Sequence, residues 1–523
     1  MPTIVSLAIE GGWATDLGPS APPQFKGQGP SGELILSVPW LVDAENCVYE
    51  LDGWPRKMPG ASNVNGTATG ASDHVMGIFD YWRAQTSGSP SQQRLLYSGT
   101  AMYRESGGAL TAIKTGLEAA KMPWFEVMND ECVIATTSTV DVPMVYDQTT
   151  FANLGGSPPN FAFCVEHRGR MWAAGVDSAK YRLYYSASAN HEDWTGAGSG
   201  SIDFPYQISG LRSHKGELIV FMGPSSLAID RLTGSAPTGA DAFARVPFVR
   251  GIGSANHQSI ILGPQDLWFW DDLGIHSLNA TANYGDYTSD FLSAPIGTYF
   301  TDQLNHNRFD QIWGVNFVTA GYALWTVSRA GVSTHDAILM LDYRFRPLRF
   351  ALWPAYAVAS LAMVRDASRL TVPWAGTYTG RALRMNRPSR NLAASAYTYR
   401  TRTPYLPFGD AFMDKTLTNG RIGIAPKGAT SATIGWQRDG KTQQTTTVDQ
   451  SGTALLGDSS DNFALDTDVL AGGRYVPKFF EMSGSFKELQ LELTKGGTDE
   501  DFEPHGLALI FDDAGLGLVE PIG

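Results

Sequence analysis

Short apolar runs, each followed by a polar or Gly/Pro turn and a second apolar run, make up most of this chain. The runs 218–222 and 267–270, for example, turn within a few residues into the apolar runs 227–229 and 275–278. Turns rich in Gly, Asp, Pro and Ser supply the backbone conformations that a β-hairpin needs. The pattern therefore predicts a succession of antiparallel hairpins.

The hairpins recur at a nearly constant spacing. Their landmarks along the chain are Leu95, Val133, Met171, Leu218, Leu267, Ile312 and Leu361. The separations are 38, 38, 47, 49, 45 and 49 residues. A period of roughly 40–50 residues made of short strands is the size of a propeller blade. Helical repeats of similar length would show apolar residues at i, i+3 and i+4, and this spacing is missing.

The predicted strands are apolar on both faces, as in Trp268, Phe269 and Trp270. Neighbouring blades that pack face to face need strands of this kind, whereas a sheet with one solvated face does not. We therefore predict an all-β protein in which residues 65–392 form an irregular β-propeller of six to eight blades.

The two ends of the chain differ from the repeat. Residues 18–32 are rich in Pro, Gly and Ser, which predicts that 1–64 form an extended N-terminal arm and an entry strand. The segments 432–436 and 443–448 alternate between apolar and polar residues. Such alternation is typical of sheets with one solvated face, so we predict a C-terminal β-sandwich-like domain at 393–523.

Helical and membrane-spanning segments are nearly missing from the pattern. The best helical candidate is 115–122, which Pro123 would end. The apolar stretch 351–364 contains Pro354 and is too short to cross a bilayer. The N-terminus has no basic residues before its apolar run, so no signal peptide is expected.

Composition narrows the classes of partner. The formal net charge is -13, which argues against sequence-independent nucleic-acid binding, because that needs a basic surface. The same charge suits a wall past which DNA slides without adhering. Cys47, Cys132 and Cys164 are odd in number and widely spaced, so we expect buried free thiols and neither disulfides nor a zinc site.

The most tempting chemical cluster is the polar corner at 190–195, Asn-His-Glu-Asp-Trp-Thr. Glu192 and Asp193 are adjacent, so in an extended segment their side chains point apart, which does not suit a shared glycosidic bond. We interpret the corner as a turn capped by short polar side chains, with Trp194 packed beneath it.

Other catalytic patterns do not occur. The chain has no HExxH zinc motif, no GxSxG nucleophile motif and no GxxxxGK[ST] phosphate loop, and the Gly-rich segment 196–200 opens no predicted helix. We therefore predict no catalytic, cofactor-binding or metal-binding residues, no cofactor and no enzymatic activity.

Two groups of arginines remain as candidates for binding. Arg344 and Arg346 are expected on one side of a strand, where a solvated face is the simplest interpretation and a subunit contact or a substrate carboxylate are alternatives. Six arginines between residues 381 and 402 have few acidic neighbours in the sequence and could meet an acidic partner surface.

Three segments resemble a known family when they are read in order. The segment 43–60 carries Ala-x-Asn-Cys-Val and then Arg-Lys-x-Pro-Gly, and 250–278 carries a Gly-containing loop, Ser-Ile and a strand–turn–strand ending in Ser-Leu. The corner at 190–194 follows Tyr-Tyr-Ser. In this order they are similar to the propeller-type tail nozzle or head-to-tail stabilising proteins of short-tailed bacteriophages.

The resemblance implies a structural component of a virion tail, assembled in the host cytoplasm. Such a protein forms a ring with copies of itself, commonly a hexamer, extends the DNA ejection channel, and docks portal or adaptor proteins and tail fibre or tail tip proteins. Viral DNA would pass without specific binding, and no membrane span is implied. The segment after 393 matches no pattern of the family.

Two alternatives stay open. One is a carbohydrate-binding or glycoside-hydrolysing β-propeller that acts on bacterial surface glycans, which would need acidic and arginine side chains that converge at one end of the propeller. The other is a general propeller scaffold of cellular origin.

Overall fold

The computed structural model describes residues 3–20, 25–28, 33–84, 90–224, 226–278, 292–366, 368–409, 412–426, 430–451 and 475–511. The chain divides into two compact units. One unit consists of Ser62–Leu339 and Tyr356–Asn386, and we call it the propeller unit. The other consists of Met1–Ala61, Met340–Ala355 and Arg387–Gly523, and we call it the sandwich unit.

Four consecutive blades of the propeller unit each have four antiparallel strands that follow one another along the chain. Blade 1 is Val75–Arg83, Ser91–Ser98, Ala101–Ser106 and Ala109–Thr115; blade 2 is Pro123–Met128, Glu131–Thr136, Met144–Tyr146 and Phe151–Asn153; blade 3 is Phe163–His167, Arg170–Ala174, Arg182–Tyr185 and Gly200–Asp203; blade 4 is Ile208–His214, Glu217–Met222, Ala228–Thr233 and Ala244–Arg250.

Three further blades complete the unit. Blade 5 has the described strands Ile261–Gly263, Asp266–Trp270 and Ile275–Ser277; blade 6 begins with Gly314–Phe317, Tyr322–Val327 and Ala337–Asp342; blade 7 is Val358–Arg365, Thr371–Thr377, Ala382–Arg387 and Gly60–Asn63. The short helices among the described residues are the α-helix Gly297–Asp302 and the 3-10 helices Asp177–Ala179, Ala294–Ile296 and His306–Gln311. Over the part of the unit that the structure describes, the β-propeller thus has seven blades, within the predicted six to eight.

The ring closes between the last blade and the first. The first strand of blade 7, Val358–Arg365, contacts the first strand of blade 1, Val75–Arg83. The Ser360 hydroxyl donates to the Val75 carbonyl at 2.6 Å. The outermost strand of blade 7 comes from Gly60–Asn63, far upstream in the chain. Closure by a distant strand leaves no open gap between the first blade and the last.

Five of the seven sequence landmarks mark equivalent places in the fold, whereas Ile312 precedes the first strand of blade 6 and Leu361 lies on the first strand of blade 7. Leu95, Val133, Met171, Leu218 and Leu267 all lie on the second strand of successive blades. Adjacent residues on these strands face different neighbours. Met171 belongs to the core shared with blade 2, and Trp172 to the core shared with blade 4. Burial on both faces explains why these strands do not alternate between apolar and polar residues.

The sandwich unit contains two sheets. The first has the order Phe25–Gln28, Leu34–Val38, Thr3–Ile9, Pro504–Phe511, Lys415–Ile424 and Val476–Phe486. The second runs from Arg349–Trp353 through Asp43–Glu45, Tyr399–Arg402, Leu489–Lys495 and Ser431–Arg438 to Gln444–Asp449. Cys47–Tyr49 and Pro55–Lys57 form a separate hairpin. Leucines of both sheets line one narrow interior space, as expected for a β-sandwich.

These units differ from the predicted divisions 1–64, 65–392 and 393–523. The N-terminal strand Thr3–Ile9 pairs parallel to Leu34–Val38 and antiparallel to Pro504–Phe511, inside the first sheet of the sandwich unit. The N-terminal segment and the residues after 393 therefore share one sheet. Of the Pro-rich stretch 18–32, residues 21–24 and 29–32 lie outside the described residues.

Two local predictions are wrong. Residues 115–122 form no helix, because Gly116 and Ala120 adopt positive φ angles of 79° and 56°, which a right-handed helix excludes. The segment around Arg344 and Arg346 is a bend after Ala337–Asp342, with no strand. Arg344 pairs with Asp342, so its side chain does not form part of a free solvated face.

The expectation for the cysteines is confirmed. Cys47, Cys132 and Cys164 are free and buried. Burial raises the pKa of each thiol, so all three stay protonated at neutral pH. In the part of the chain that the structure describes, no helix has both the length and the apolar character that a membrane crossing requires.

Candidate functional site

The polar corner at 190–195 is a structural turn, as predicted. Trp194 is buried beneath it, 5.3 Å from the ring of Phe161, and its indole N–H donates to the His191 carbonyl at 2.8 Å. The Asn190 side chain accepts from the Glu192 backbone N–H (3.0 Å), and the Asp193 carboxylate accepts from the Gly196 N–H (2.7 Å). The polar side chains of the corner are therefore used to hold the backbone.

The first strands of the blades instead surround a central channel of about 340 Å³. Its lining includes two acidic side chains, Asp80 of blade 1 and Glu126 of blade 2, together with Trp124, Arg212 and Gln258. The Asp80 carboxylate accepts from the Gln92 side chain at 2.6 Å and from the Arg365 backbone N–H at 2.9 Å. Glu126 accepts one hydrogen bond, from the Glu166 backbone N–H at 3.2 Å.

Glu126 is the carboxyl group with the most unusual setting in the channel. Burial raises its pKa to about 7, and the Glu166 N–H and the charge of Arg212 offset only part of that effect. The structure has no ion pair shorter than 4.0 Å to Glu126 among the described residues. A carboxyl group that is half protonated near neutral pH can donate a proton as well as accept one.

Arg212 and His257 form a compact cluster beside Glu126. The Arg212 guanidinium lies 2.7 Å from His257 Nε2 and donates to the carbonyls of His257 (2.9 Å) and Ile260 (2.7 Å). It also lies over the Trp124 ring, 4.6 Å from the centroid. Burial and Arg212 together lower the pKa of His257 well below its usual value, so the imidazole is neutral.

The raised pKa of Glu126 predicts a pH dependence of stability. The folded protein holds the proton up to about pH 7, whereas the unfolded chain releases it near pH 4.5. Stability from this group is therefore lost as the pH rises through that window. Urea unfolding between pH 5 and pH 8 should show this loss, and Glu126→Gln should reduce the slope. The control is Glu217→Gln, which removes a half-buried pair with Arg231 and should leave the slope of stability against pH unchanged. A Glu126→Gln variant with the same slope as the unaltered protein would contradict the prediction.

A larger cavity of about 550 Å³ opens where the first strands of blades 3 and 4 begin. We call it the mouth cavity; it is lined by residues 137–139, 160, 162–163, 175–178, 180, 207–209 and 255–258 and by Asp310. Gln258 lines both the mouth cavity and the channel, so the two spaces adjoin. Together they form the candidate site of the propeller unit.

Five of the six arginines between 381 and 402 have partners within the protein. The carboxylate partners are Asp366 for Arg384, Asp501 for Arg390, and Asp43 for both Arg400 and Arg402. Arg381 donates to the carbonyls of Asn65 and Gly66. The predicted use on an acidic partner surface is thus not supported for the four arginines whose charges are paired by acids of the same chain.

The Arg-Lys-x-Pro-Gly segment is built into the sandwich unit. Arg56 pairs with Glu50 and Asp501, both at about 3 Å. Lys57 is fully buried, faces the Tyr397 ring at 4.5 Å, and has its pKa lowered to about 8 by burial. A Cβ atom on Gly60 would lie 2.3 Å from the Asn391 carbonyl oxygen, so only glycine fits there.

The second family-like segment, 250–278, forms the entry to blade 5 and the blade itself. The Asn256 side chain accepts from the Ser259 N–H (2.8 Å) and donates to the Ile312 carbonyl (2.9 Å). Asp271 accepts from the backbone N–H groups of Leu273 and Gly274 in the hairpin turn. The polar residues of this segment hold loops and turns, while His257, which follows Asn256, lines the mouth cavity and lies 2.7 Å from the Arg212 guanidinium.

The sequence analysis missed Glu126, Arg212 and His257. These residues lie at separations of 86 and 45 positions along the chain, and only the ring of blades brings them together. One signal was present, since Glu126 interrupts the otherwise apolar strand Pro123–Met128. Among the described residues, no group of three or more His, Cys, Asp or Glu side chains is arranged to hold a metal ion.

No protein-family model matches the chain, and no curated protein matches it. Solved structures that are similar to the chain have low sequence identity and TM-scores below 0.5. A gluconolactonase from Xanthomonas campestris is 10% identical, with 66% of this chain and 97% of that chain covered and a TM-score of 0.32. BBS1N in complex with ARL6DN is 8% identical, with 64% and 98% covered and a TM-score of 0.37.

An exo-β-1,3-galactanase from Phanerochaete chrysosporium is 9% identical, with 94% of this chain and 100% of that chain covered and a TM-score of 0.25. At these scores the likenesses support no conclusion about the function of this chain. Two of the three names are carbohydrate-related, and none is a tail protein. The prediction that the chain is not an enzyme is corrected: similar solved structures include enzymes by name, a gluconolactonase and an exo-β-1,3-galactanase. These likenesses assign no activity to this chain.

Proposed function

We propose that the protein is a component of a short-tailed bacteriophage tail, either a nozzle or a head-to-tail connector that extends the DNA ejection channel. The observation that supports this proposal is the structural position of the family-like segment 43–60. Its residues Arg56, Lys57 and Gly60 are held by buried contacts in the sandwich unit, and the next strand of the chain is the outermost strand of blade 7. Residues that hold the fold in this way are the ones that related proteins are expected to share, even where their surfaces differ.

The proposal includes the partners and the location. Copies of the chain would form a ring, such as a hexamer, that contacts portal or adaptor proteins and tail fibre or tail tip proteins in the virion. The channel of the propeller, at about 340 Å³, has the size of a small-molecule site and is too small for duplex DNA. Viral DNA would therefore pass along the axis of the ring, where the net charge of -13 disfavours adhesion.

Light scattering on the full chain tests this proposal. We expect a multiple of the 56.6 kDa chain mass, either alone or after mixing with the portal protein encoded in the same genome. The matched control is the same measurement at high salt, where a specific ring with a large interface persists and weak charge-driven association is lost. A chain that stays monomeric under both conditions would contradict the proposal.

A second candidate is a glycan-binding or glycoside-hydrolysing propeller that acts on bacterial surface glycans. Glu126 favours it, because a carboxyl group with a pKa near 7 is suited to protonate the oxygen of a leaving group. Asp80 supplies a second carboxylate in the same channel.

Sugar release from bacterial surface polysaccharide tests the second candidate. Glu126→Gln should lower kcat by about 100-fold or more, because general acid catalysis contributes typically 10²–10⁴-fold. Its KM should change little, since the amide keeps the shape of the side chain. Glu217→Gln is the control and should keep full activity. Release of no sugar by the unaltered protein, or an active Glu126→Gln variant, would contradict this candidate.

A further inference from the structure

The lining of the mouth cavity is mostly neutral and polar. Besides Phe163 and a few small apolar residues, it presents hydroxyl and amide side chains, among them Ser138, Asn160, Ser178, Gln207, Ser209 and Gln258. Hydroxyl and amide groups both donate and accept hydrogen bonds, as sugar hydroxyls do. A volume of about 550 Å³ lies within the roughly 300–1,000 Å³ of small-molecule sites.

Ser209 is placed in the cavity by an irregularity of its strand. The first strand of blade 4, Ile208–His214, shifts register between Ile208 and Gly210, so Ser209 is the extra residue of a β-bulge. Bulges leave one residue outside the ladder and redirect its side chain, and they are frequent next to functional sites. Ser209 is only 7% exposed, yet its hydroxyl has no hydrogen-bond partner in the protein.

Asn160 presents a second unsatisfied group to the same cavity. Its side-chain N–H lies 3.5 Å from the Ser138 carbonyl, while its buried Oδ1 has no partner. A buried polar atom without a partner costs free energy comparable to a lost hydrogen bond. Two such groups, on the loop before blade 3 and on the first strand of blade 4, therefore indicate a ligand that supplies the missing partners.

The charges at the rim restrict the class of ligand. Lys180 is paired with Asp177 at 3.2 Å, so its charge is largely compensated. Asp310 is a further acidic side chain on the lining. The cavity therefore carries a slight excess of negative charge, which disfavours anionic ligands.

We infer that the mouth cavity binds a neutral saccharide, with hydroxyl groups of the sugar hydrogen-bonded to Ser209 Oγ and Asn160 Oδ1. This inference rests on the second candidate function and names its ligand class and two of its binding residues. Because Gln258 lines both spaces, a longer saccharide in the mouth cavity extends toward Glu126 in the channel. The binding residues and the proton-donating residue are thus separate and can be tested separately.

Calorimetric titration of the full chain with sugars tests the inference. The probes are glucose, galactose and their α- and β-linked disaccharides and trisaccharides, with galacturonic acid as the anionic comparison. We expect at least one neutral sugar to bind and galacturonic acid to bind more weakly. Ser209→Ala and Asn160→Ala should each weaken binding roughly three- to tenfold, the value of one hydrogen bond.

The matched control is Ser360→Ala. Ser360 is also a buried serine of this unit, but its hydroxyl donates to the Val75 carbonyl at 2.6 Å and it does not line the mouth cavity. Ser360→Ala should lower the Tm and leave the sugar Kd unchanged, whereas Ser209→Ala should leave the Tm unchanged or raise it, because it removes an unsatisfied hydroxyl.

The outcomes separate the inference from the second candidate function. Sugar binding that Ser209→Ala weakens, without any sugar release, supports the binding site and contradicts hydrolysis. If none of the neutral sugars binds, or if Ser209→Ala and Asn160→Ala both bind as tightly as the unaltered protein, the inference is overturned, since water alone then satisfies the two groups. If galacturonic acid binds more tightly than the neutral sugars, the inference that the ligand is a neutral saccharide is overturned.

Discussion

Replacing Asp501 with alanine is expected to lower the free energy of unfolding of the sandwich unit by about 3–5 kcal/mol. The Asp501 carboxylate accepts from Arg390 Nε at 2.6 Å and from Arg56 Nη2 at 2.9 Å. The Arg390 side chain is 8% exposed and that of Arg56 is 22% exposed. Loss of the carboxylate removes the counter-charge of the largely buried Arg390 guanidinium and one of the carboxylate partners of Arg56, which also pairs with Glu50. A buried charge that loses its partner costs far more than the pair itself contributes.

The same carboxylate predicts a loss of stability in acid. Burial alone would raise the pKa of Asp501, but hydrogen bonds and charge from Arg390 and Arg56 lower it to about 2. The unfolded chain takes up this proton near pH 3.8, so the stabilisation is complete above that value and is lost as the pH falls toward 2.

Urea unfolding, followed by hydrogen exchange of the sandwich unit, measures both effects. The control is Asp449→Ala in the same unit, where the carboxylate is 59% exposed and 3.8 Å from Lys478. An exposed pair of this kind is worth about 0–1 kcal/mol. If Asp501→Ala and Asp449→Ala lower the free energy of unfolding by similar amounts, the pairs of Asp501 with Arg390 and Arg56 stabilise the fold no more than an exposed pair does.

Truncation of Trp270 to alanine is expected to cost the propeller unit about 3–5 kcal/mol. Trp270 lies on the second strand of blade 5 and is fully buried. Its ring packs 4.6 Å from Phe300, 5.5 Å from Phe309 and 6.5 Å from Trp325. These rings belong to the short helices and the blade that follow, so the cavity left by the substitution would loosen the contact between blades 5 and 6.

Thermal and urea unfolding of the full chain measure this loss. Trp82→Ala is the control, because it removes the same side chain from a position that is 38% exposed on blade 1. We expect its effect to be a small fraction of that of Trp270→Ala. Equal effects of the two variants would contradict a core role for Trp270, and a Trp270→Ala variant that does not fold would place the cost at the upper end of the range or above it.

The repeat could be predicted because a hairpin is a local structure. The turn at Asp271 and Gly274 and the strands on either side of it lie within a dozen residues, and their pairing follows from the turn. Strands buried on both faces are visible as unbroken apolar runs, so the five landmarks from Leu95 to Leu267 fall on equivalent strands. The β-sandwich near the C-terminus was likewise predictable, because residues 432–436 alternate between apolar and polar side chains.

The candidate site was not predictable in the same way. Glu126, Arg212 and Ser209 each look ordinary in the sequence, and what distinguishes them is burial, a β-bulge and a missing partner. Such properties depend on which first strands face one another across the channel. The polar corner at 190–195, which looked more like a catalytic site in the sequence, uses its Asn190 and Asp193 side chains to accept hydrogen bonds from nearby backbone N–H groups.

The sequence by itself determined the strand type, the hairpins, the blade period and the burial of the three cysteines, because each depends on neighbours within a few dozen residues. Tertiary structure alone decided that the N-terminal strand Thr3–Ile9 pairs with Pro504–Phe511, and that Arg56 meets Asp501, 445 positions away. It also decided that blade 7 is completed from upstream of blade 1. Contacts of this range depend on how the units close on themselves, and no local pattern of apolar and polar residues encodes that closure.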